Sequence, residues 1–385
     1  MMQDLALEFM AHGHEVSILT PNPFQKEKIS VQRISGVETI FFKCGEIKNI
    51  GKIRRAINES MISNLAWKAT HDLFENKHYD GIVYYSPTIF WGVLVMRLKK
   101  MWNCKTYLIL RDVFPQWTAD SGLMKRKSPV FWYFKFFEWI NFRQANRIGV
   151  MSPSNLAFFK RTRKHTANFE VLYNWAIHPS PRSSEISYRK KMCLEDKIVF
   201  FFGGNIGHAQ HMMYMVNLAI RFKNNDKIHF LFVGKGDECD LISNEKINHQ
   251  LTNLTLLPPV DQHSYFNMMS EFDVGLFSLH PNHKTHNFPA KIFGYMAYEL
   301  PVLGCVNRGN DLKEVLNDAS VGYVLESGDE EGLYQAALKL IESKELRTLM
   351  GQNGKQLLQK NYTVTVAYQQ ILKTLTGDAS KYENS

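Results

Sequence analysis

Lys291 stands in the run Phe288-Pro289-Ala290-Lys291. A proline is well placed at a first helical position, and the lysine then falls in the first turn. A cation there opposes the helix dipole, so it suits a bound anion better than it suits stability. Unpaired N–H groups at the helix start and one ammonium would together seat a pyrophosphate. The plainer reading is a proline-started helix with a solvated lysine. A second candidate is Gly203-Gly204-Asn205-Ile206-Gly207-His208, which follows the apolar run Ile198–Phe202 and is expected to open a helix near Ala209. Glycines there let the backbone approach a ligand. The run is neither a dinucleotide fingerprint nor a Walker loop, and a tight strand-to-helix turn accounts for it equally. Gly234-Lys235-Gly236-Asp237 ends another apolar run and could wrap a nucleobase or simply turn the chain. The candidate phosphate and nucleotide residues are therefore Gly204, Asn205, Ile206, Gly207, Gly234, Lys235, Phe288, Pro289, Ala290 and Lys291.

A third candidate lies in the other half of the chain. Arg111-Asp112-Val113-Phe114-Pro115-Gln116 comes just past the apolar run Thr106–Leu110. In open α/β sheets ligands bind beyond the carboxyl ends of the strands. Adjacent opposite charges there serve either a site or a structural ion pair. Metal chemistry finds little support. His280, His283 and His286 recur every third residue, as do His208 and His211, but Pro281 interrupts the first group and no HExxH or Asp-x-Asp occurs. No GxSxG elbow or Cys-His signature is present. Catalytic weight is expected on Arg111, Asp112 and Lys291, with no metal.

The elements that must hold these residues alternate between strand and helix. A chain of 385 residues is too long for one ordinary core and suits two α/β domains. Short runs rich in Val, Ile, Phe and Tyr read as buried parallel strands at His14–Leu19, Val37–Phe42, Gly81–Tyr85, Thr106–Leu110, Arg147–Met151 and Glu170–Leu172. A helix over Thr88–Trp102 is expected to be capped by Ser86 or Thr88. Residues 177–195 turn polar and rich in Ser and Pro, as a linker would. The alternation resumes at Ile198–Phe202, Ile228–Val233, Leu254–Leu256, Val274–Phe277, Pro301–Gly304 and Val321–Val324, with closing helices at Glu330–Ile341, Glu345–Gln359 and Val364–Thr376. The expected division is a Rossmann-like domain over 1–176, the linker over 177–195, a second over 196–361, and a last helix and tail over 362–385. A Rossmann-like unit should open on a strand and a glycine turn. Here the amphipathic run Met2–Ala11 comes first, so the chain is expected to start at an internal methionine.

Charge and cysteine bound the partners. The net charge of +9 permits nucleic acid, an anionic membrane or an anionic substrate. No RNP motif, zinc-finger spacing or basic zipper is present, which speaks against nucleic acid. Five scattered cysteines without a CxxC pair fit a reduced, cytoplasmic compartment. Lys125-Arg126-Lys127 leads into Pro129-Val130-Phe131-Trp132-Tyr133-Phe134-Lys135-Phe136-Phe137-Glu138-Trp139-Ile140, and Lys48, Lys52, Arg54 and Arg55 form a second basic stretch. The aromatic run is too short and too charged to span a bilayer. It suits the interface of an anionic inner membrane, or else a core helix with an exposed cap.

With these residues assembled, the chain resembles the retaining, family-4 glycosyltransferases of the GT-B fold, and among them the fucosaminyltransferase-like enzymes of bacterial O-antigen and capsule assembly. The likeness rests on Gly13-His14-Glu15-Val16, Tyr84-Tyr85-Ser86-Pro87-Thr88, Arg111 to Gln116, Asn174-Trp175, Gly204-Asn205-Ile206-Gly207, and Phe288-Pro289-Ala290-Lys291-Ile292-Phe293 with Tyr295-Met296-Ala297. It implies two Rossmann-like domains with parallel sheets facing a cleft. A UDP-sugar would be held by the second domain, and a saccharide on a polyprenyl diphosphate by the first. No metal is implied, since helix termini and basic side chains would neutralise the departing diphosphate. The last helix would return to the first domain. Three departures from the family stand out. Its opening strand and glycine loop are missing. Its paired glutamates fall on His286 and Gly294. Its phosphate-binding Arg and Lys give way to Asn205, Gly207 and His208, which leaves more of the charge to Lys291. The family's usual acceptor-side histidine corresponds to Arg111. Two rival readings stay open: a sugar-nucleotide epimerase on the same fold, and a non-catalytic or truncated homologue acting as a binding subunit.

Overall fold

The computed structural model describes residues 1–47, 50–86, 88–111, 114–116, 118, 124–162, 168–175, 187–282 and 288–377. The chain forms two compact units, one made of Met1–Trp175 with the segment from Val364 onward, the other of Ala176–Thr363.

The first unit contains two sheets. Strands β1 (Ser17–Asn22), β2 (Ile29–Ile34) and β3 (Val37–Lys43) form one, in the order β1-β3-β2. β1 starts later than the expected His14. The helix Met2–Ala11 ends in a left-handed Gly13 (φ +83°), and the N–H groups of Gly13 and His14 reach back to Met10 and Phe9. This 6→1 and 5→2 closure consumes His14 before a strand can begin. β2 is absent from the sequence expectation and runs antiparallel to β3. Ser35 and Gly36 join the two with positive φ at both positions, the geometry of a two-residue I′ turn. The second sheet is wholly parallel, in the order β4 (Gly81–Ser86), β5 (Lys105–Leu110), β6 (Arg147–Val150), β7 (Phe169–Val171). The helix expected from Thr88 begins at Gly92, without a side-chain cap. Thr88 Oγ1 instead accepts from the Phe90 N–H, a local turn that competes with helix. The helix Val364–Thr376 packs Ala367, Tyr368, Ile371 and Leu372 against Leu5, Tyr107 and Ile109, so it belongs to this unit's core.

The second unit is built on one six-stranded parallel sheet: β8 (Ile198–Asn205), β9 (Ile228–Lys235), β10 (Leu254–Leu257), β11 (Val274–Ser278), β12 (Val302–Val306) and β13 (Gly322–Glu326). Their order is β10-β9-β8-β11-β12-β13. Counted within the unit this is 3-2-1-4-5-6, the doubly wound order, and the chain reverses direction between β8 and β11. Phe200, Phe201, Phe202, Phe230, Phe232 and Phe277 are fully buried, as strands covered on both faces require. Of the expected linker, residues 177–186 lie outside the described residues. Residues 187–191 are fastened to this unit: the Glu271 carboxylate accepts from Ser187 Oγ and from the N–H groups of Tyr188 and Arg189.

Candidate functional site

The switch point between β8 and β11 places the glycine loop and Lys291 together. β8 delivers Gly203, Gly204 and Asn205 at its carboxyl end, and the connection leaving β11 leads to the helix Ala290–Ala297. Gly204 has φ +124°, a backbone conformation that admits glycine, and a methyl group there would lie 3.7 Å from Lys291 Nζ. Gly203 is tighter still, since its methyl would sit 2.1 Å from the Tyr265 ring.

The aim of Lys291 comes from local structure. Pro289 is the cap of the helix rather than its first residue, and Lys291 is the second residue in it. Phe288, just before the cap, stacks on Phe293 with ring centroids 4.9 Å apart, and Tyr362 flanks both. This hydrophobic staple fixes the angle at which the helix starts. Phe288 and Pro289 thus position the helix. One turn beyond Lys291, the Tyr295 hydroxyl lies between the two central strands, 3.0 Å from Leu276 O, and takes the Gly203 N–H at 3.3 Å. Sequence reasoning did not single out Tyr295 as a site residue, although its spacing of four from Lys291 puts both on one helix face.

The Lys291 side chain is half-buried, but its Nζ has no solvent contact and no hydrogen-bond partner. It lies 3.3 Å from the centroid of the Phe202 ring. Burial pushes its pKa down to about 7. An ammonium held this way is costly unless an anion completes it.

The amides of the loop contribute differently from the expectation. A short 3₁₀ turn, His208–Gln210, follows the loop, and the α-helix starts only at Met213. Gln210 Oε1 accepts from the Gly207 N–H and from Asn205 Nδ2, Asp237 Oδ1 accepts from the His208 N–H, and Lys235 O accepts from the Ile206 N–H. The amides at Ile206, Gly207 and His208 are therefore taken up inside the protein. Gly234 has a packing reason of its own. A methyl there would meet Gly204 O at 1.8 Å, so this glycine lets β9 approach the loop. Lys235 is exposed and pairs in register with Asn205.

Arg111 lies in the first unit, at the carboxyl end of β5. It donates through its terminal nitrogens to Tyr173 O (3.1 Å) and Gly149 O (3.4 Å). Burial presses its pKa down to about 10, which leaves it cationic at neutral pH. Asp112 lies outside the described residues, as do His283 and His286. His208 and His211 sit against His280, with centroids 4.5 and 5.0 Å away. Among the described residues, the cluster with ligand atoms at metal-binding spacing is instead half-buried His71 with exposed Asp72 and Glu75.

The aromatic helix runs Pro129–Gln144, capped by Ser128. It buries Phe131, Phe134 and Phe142 and exposes Trp132 (64%), Phe136 (55%) and Trp139 (48%). The Tyr133 hydroxyl reaches Ser60 on the helix Lys52–Glu75, whose Ile53, Ile57 and Met61 are exposed at intervals of four. Lys125, Arg126, Lys127 and Arg54 are exposed at its borders; Arg55, also exposed, pairs with Glu59. Lys48 lies outside the described residues. Among the described residues, no helix is long and apolar enough to cross a membrane.

Known proteins resemble the chain at three levels. The curated "Probable glycosyltransferase WbjE" of Pseudomonas aeruginosa is 23% identical over 273 residues, covering 69% of this chain and 67% of that protein. Sucrose-phosphate synthase from Thermosynechococcus elongatus has a TM-score of 0.69 at 15% identity, covering 97% of this chain and 91% of its own. Anabaena Alr3699/HepE, solved in complex with UDP and glucose, has a TM-score of 0.61 at 14% identity, covering 89% and 87%. These likenesses show the GT-B fold, two α/β units with parallel sheets. The family described as glycosyl transferases group 1 matches residues 184–357, the segment that carries the glycine loop and Lys291, and with the curated relative it supports glycosyltransferase function for this chain.

Proposed function

We propose that the protein transfers a sugar, of N-acetyl-fucosamine type, from a UDP-sugar to a saccharide carried on polyprenyl diphosphate, in O-antigen or capsule assembly at the cytoplasmic face of the inner membrane. The observation that carries this reading is the buried, unpartnered Lys291 ammonium beside Gly204, at the switch point of a doubly wound sheet. When the bond from the sugar's anomeric carbon to the diphosphate breaks, the diphosphate gains a negative charge. The acceptor hydroxyl oxygen forms the new bond and gives its proton up to the departing diphosphate or to solvent. Lys291 would neutralise the leaving group without a metal, in a site whose charge is already in place. The UDP bound in HepE supports the choice of nucleotide. The exposed aromatic face with its basic border supports a lipid-borne acceptor.

Lys291→Ala should lower transfer by about two orders of magnitude, as loss of a leaving-group contact does. Turnover in that variant within a factor of about two of the wild type would remove Lys291 from the site.

A further inference from the structure

The carboxyl end of the parallel sheet in the first unit holds a second group of unsatisfied polar atoms. Ser86 Oγ at the end of β4, Arg111 Nε after β5, and Asn174 Oδ1 and Trp175 Nε1 after β7 are all buried without a hydrogen-bond partner. They belong to one neighbourhood. The Arg111 N–H donates to Ser86 O at 3.3 Å, a terminal nitrogen donates to Tyr173 O, and the guanidinium lies 5.8 Å from the Trp175 ring centroid. Gly149 O accepts from the other terminal nitrogen and completes the clamp. Two carbonyls and an indole thus fix the plane of the guanidinium, and its Nε edge is left over. Among the described residues, no carboxylate pairs with it.

Buried polar groups in native proteins nearly always have partners, and each exception asks for an explanation. Four exceptions at the carboxyl end of one sheet, one of them on a guanidinium, are best explained by a ligand. Three of the four atoms donate: a guanidinium N–H, an indole N–H and a hydroxyl. The charge is positive, and the fork of Arg suits a planar or tetrahedral oxyanion. Asn174 Oδ1 is the one pure acceptor and suits a neighbouring sugar hydroxyl.

We propose that Ser86, Arg111 and Trp175 form an oxyanion subsite on the first unit, which takes a carboxylate or phosphate group of the acceptor saccharide, with Asn174 accepting from an adjacent hydroxyl. The assignment to the acceptor rests on the transferase reading above; the site itself does not. A carboxylate would come from a uronic acid, and a phosphate from a phosphorylated sugar or a lipid diphosphate.

The test is a titration of the full chain followed by the indole N–H resonances in ¹⁵N NMR, with the Trp175 signal assigned through Trp175→Phe. The probes are inorganic phosphate, glucuronate, glucose 6-phosphate, glucose and UDP. A saturable shift of the Trp175 resonance with phosphate or a sugar anion, and none with glucose or UDP, is expected. Glucuronate or glucose 6-phosphate binding tighter identifies the source. Arg111→Met should abolish the shift, and Ser86→Ala should weaken binding about tenfold, the scale of one hydrogen bond to a charged group. An unchanged thermal transition of the first unit checks that the Arg111→Met protein is folded there; if it is not, the Ser86→Ala titration decides. No saturable shift with any anion, an equal shift with glucose, or a Trp175 shift driven by UDP would overturn the proposal. An anion failure with intact UDP binding leaves the donor reading standing.

Discussion

A lysine with no partner is expensive, and that cost makes Lys291 testable twice over. Its pKa is about 7 in the folded chain against an ordinary value of 10.5. Between those values the unfolded chain binds a proton that the folded one does not, so stability should rise with pH across this window. Lys291→Met removes the buried charge. Thermal melts at neutral pH should show the variant about 1–3 kcal/mol more stable than the wild type, in the range of an unsatisfied buried polar group, although its transfer activity collapses. The opposite order of stabilities would mean that Nζ is solvated. The same depressed pKa predicts that UDP binding above about pH 7 takes up a proton, since the anion favours the ammonium. Calorimetry in buffers of different ionisation enthalpy reads that proton directly. It should be absent for Lys291→Met. The place of Lys291 in the first turn of a helix was legible in the sequence, because Phe-Pro-Ala ahead of it reads as a helix start. The fate of the loop amides was not. Nothing in Gly-Gly-Asn-Ile-Gly-His tells that Gln210 and Asp237 fold back onto them. The packing at Gly234 stayed open for a related reason: a glycine ending a strand looks alike whether a ligand or a neighbouring backbone needs the space.

Elements whose faces are wholly apolar or sharply divided were readable. The helices Met2–Ala11 and Val364–Thr376 begin and end where periodicity and Gly13 place them. The strand β2 was missed because most of it faces solvent, with Val31 and Ile34 exposed, so it lacks the apolar run that marked the others. Its Ser35-Gly36 turn was the available signal. The aromatic helix Pro129–Gln144 divides its rings between core and surface, which periodicity alone left open. The exposed rings give an element-scale prediction. Replacing Trp132, Phe136 and Trp139 with serine should reduce sedimentation with vesicles containing phosphatidylglycerol by at least about tenfold, and leave UDP affinity unchanged. Added salt should weaken the wild-type association, because the basic border contributes through the surface potential. Equal binding of both proteins would assign these rings another role.

For the molecule as a whole, chain length and the repeated strand-helix alternation pointed to two α/β units, because parallel strands need a crossover helix each. The split of the first unit into two sheets was not legible, since strand pairing depends on contacts that local pattern does not encode. Deleting the chain from residue 364 should strip Tyr107 and Ile109 of the cover given by Ile371 and Leu372. The first unit should then lose its cooperative melting transition. The most direct test of the whole account is a calorimetric titration of the wild type and Lys291→Met with UDP at pH 6.5, in the presence of EDTA. The wild type should bind without added metal, and the variant at least about a hundredfold more weakly, the size expected for a buried charge contact to phosphate. Equal affinities would contradict the claim that this ammonium receives the diphosphate.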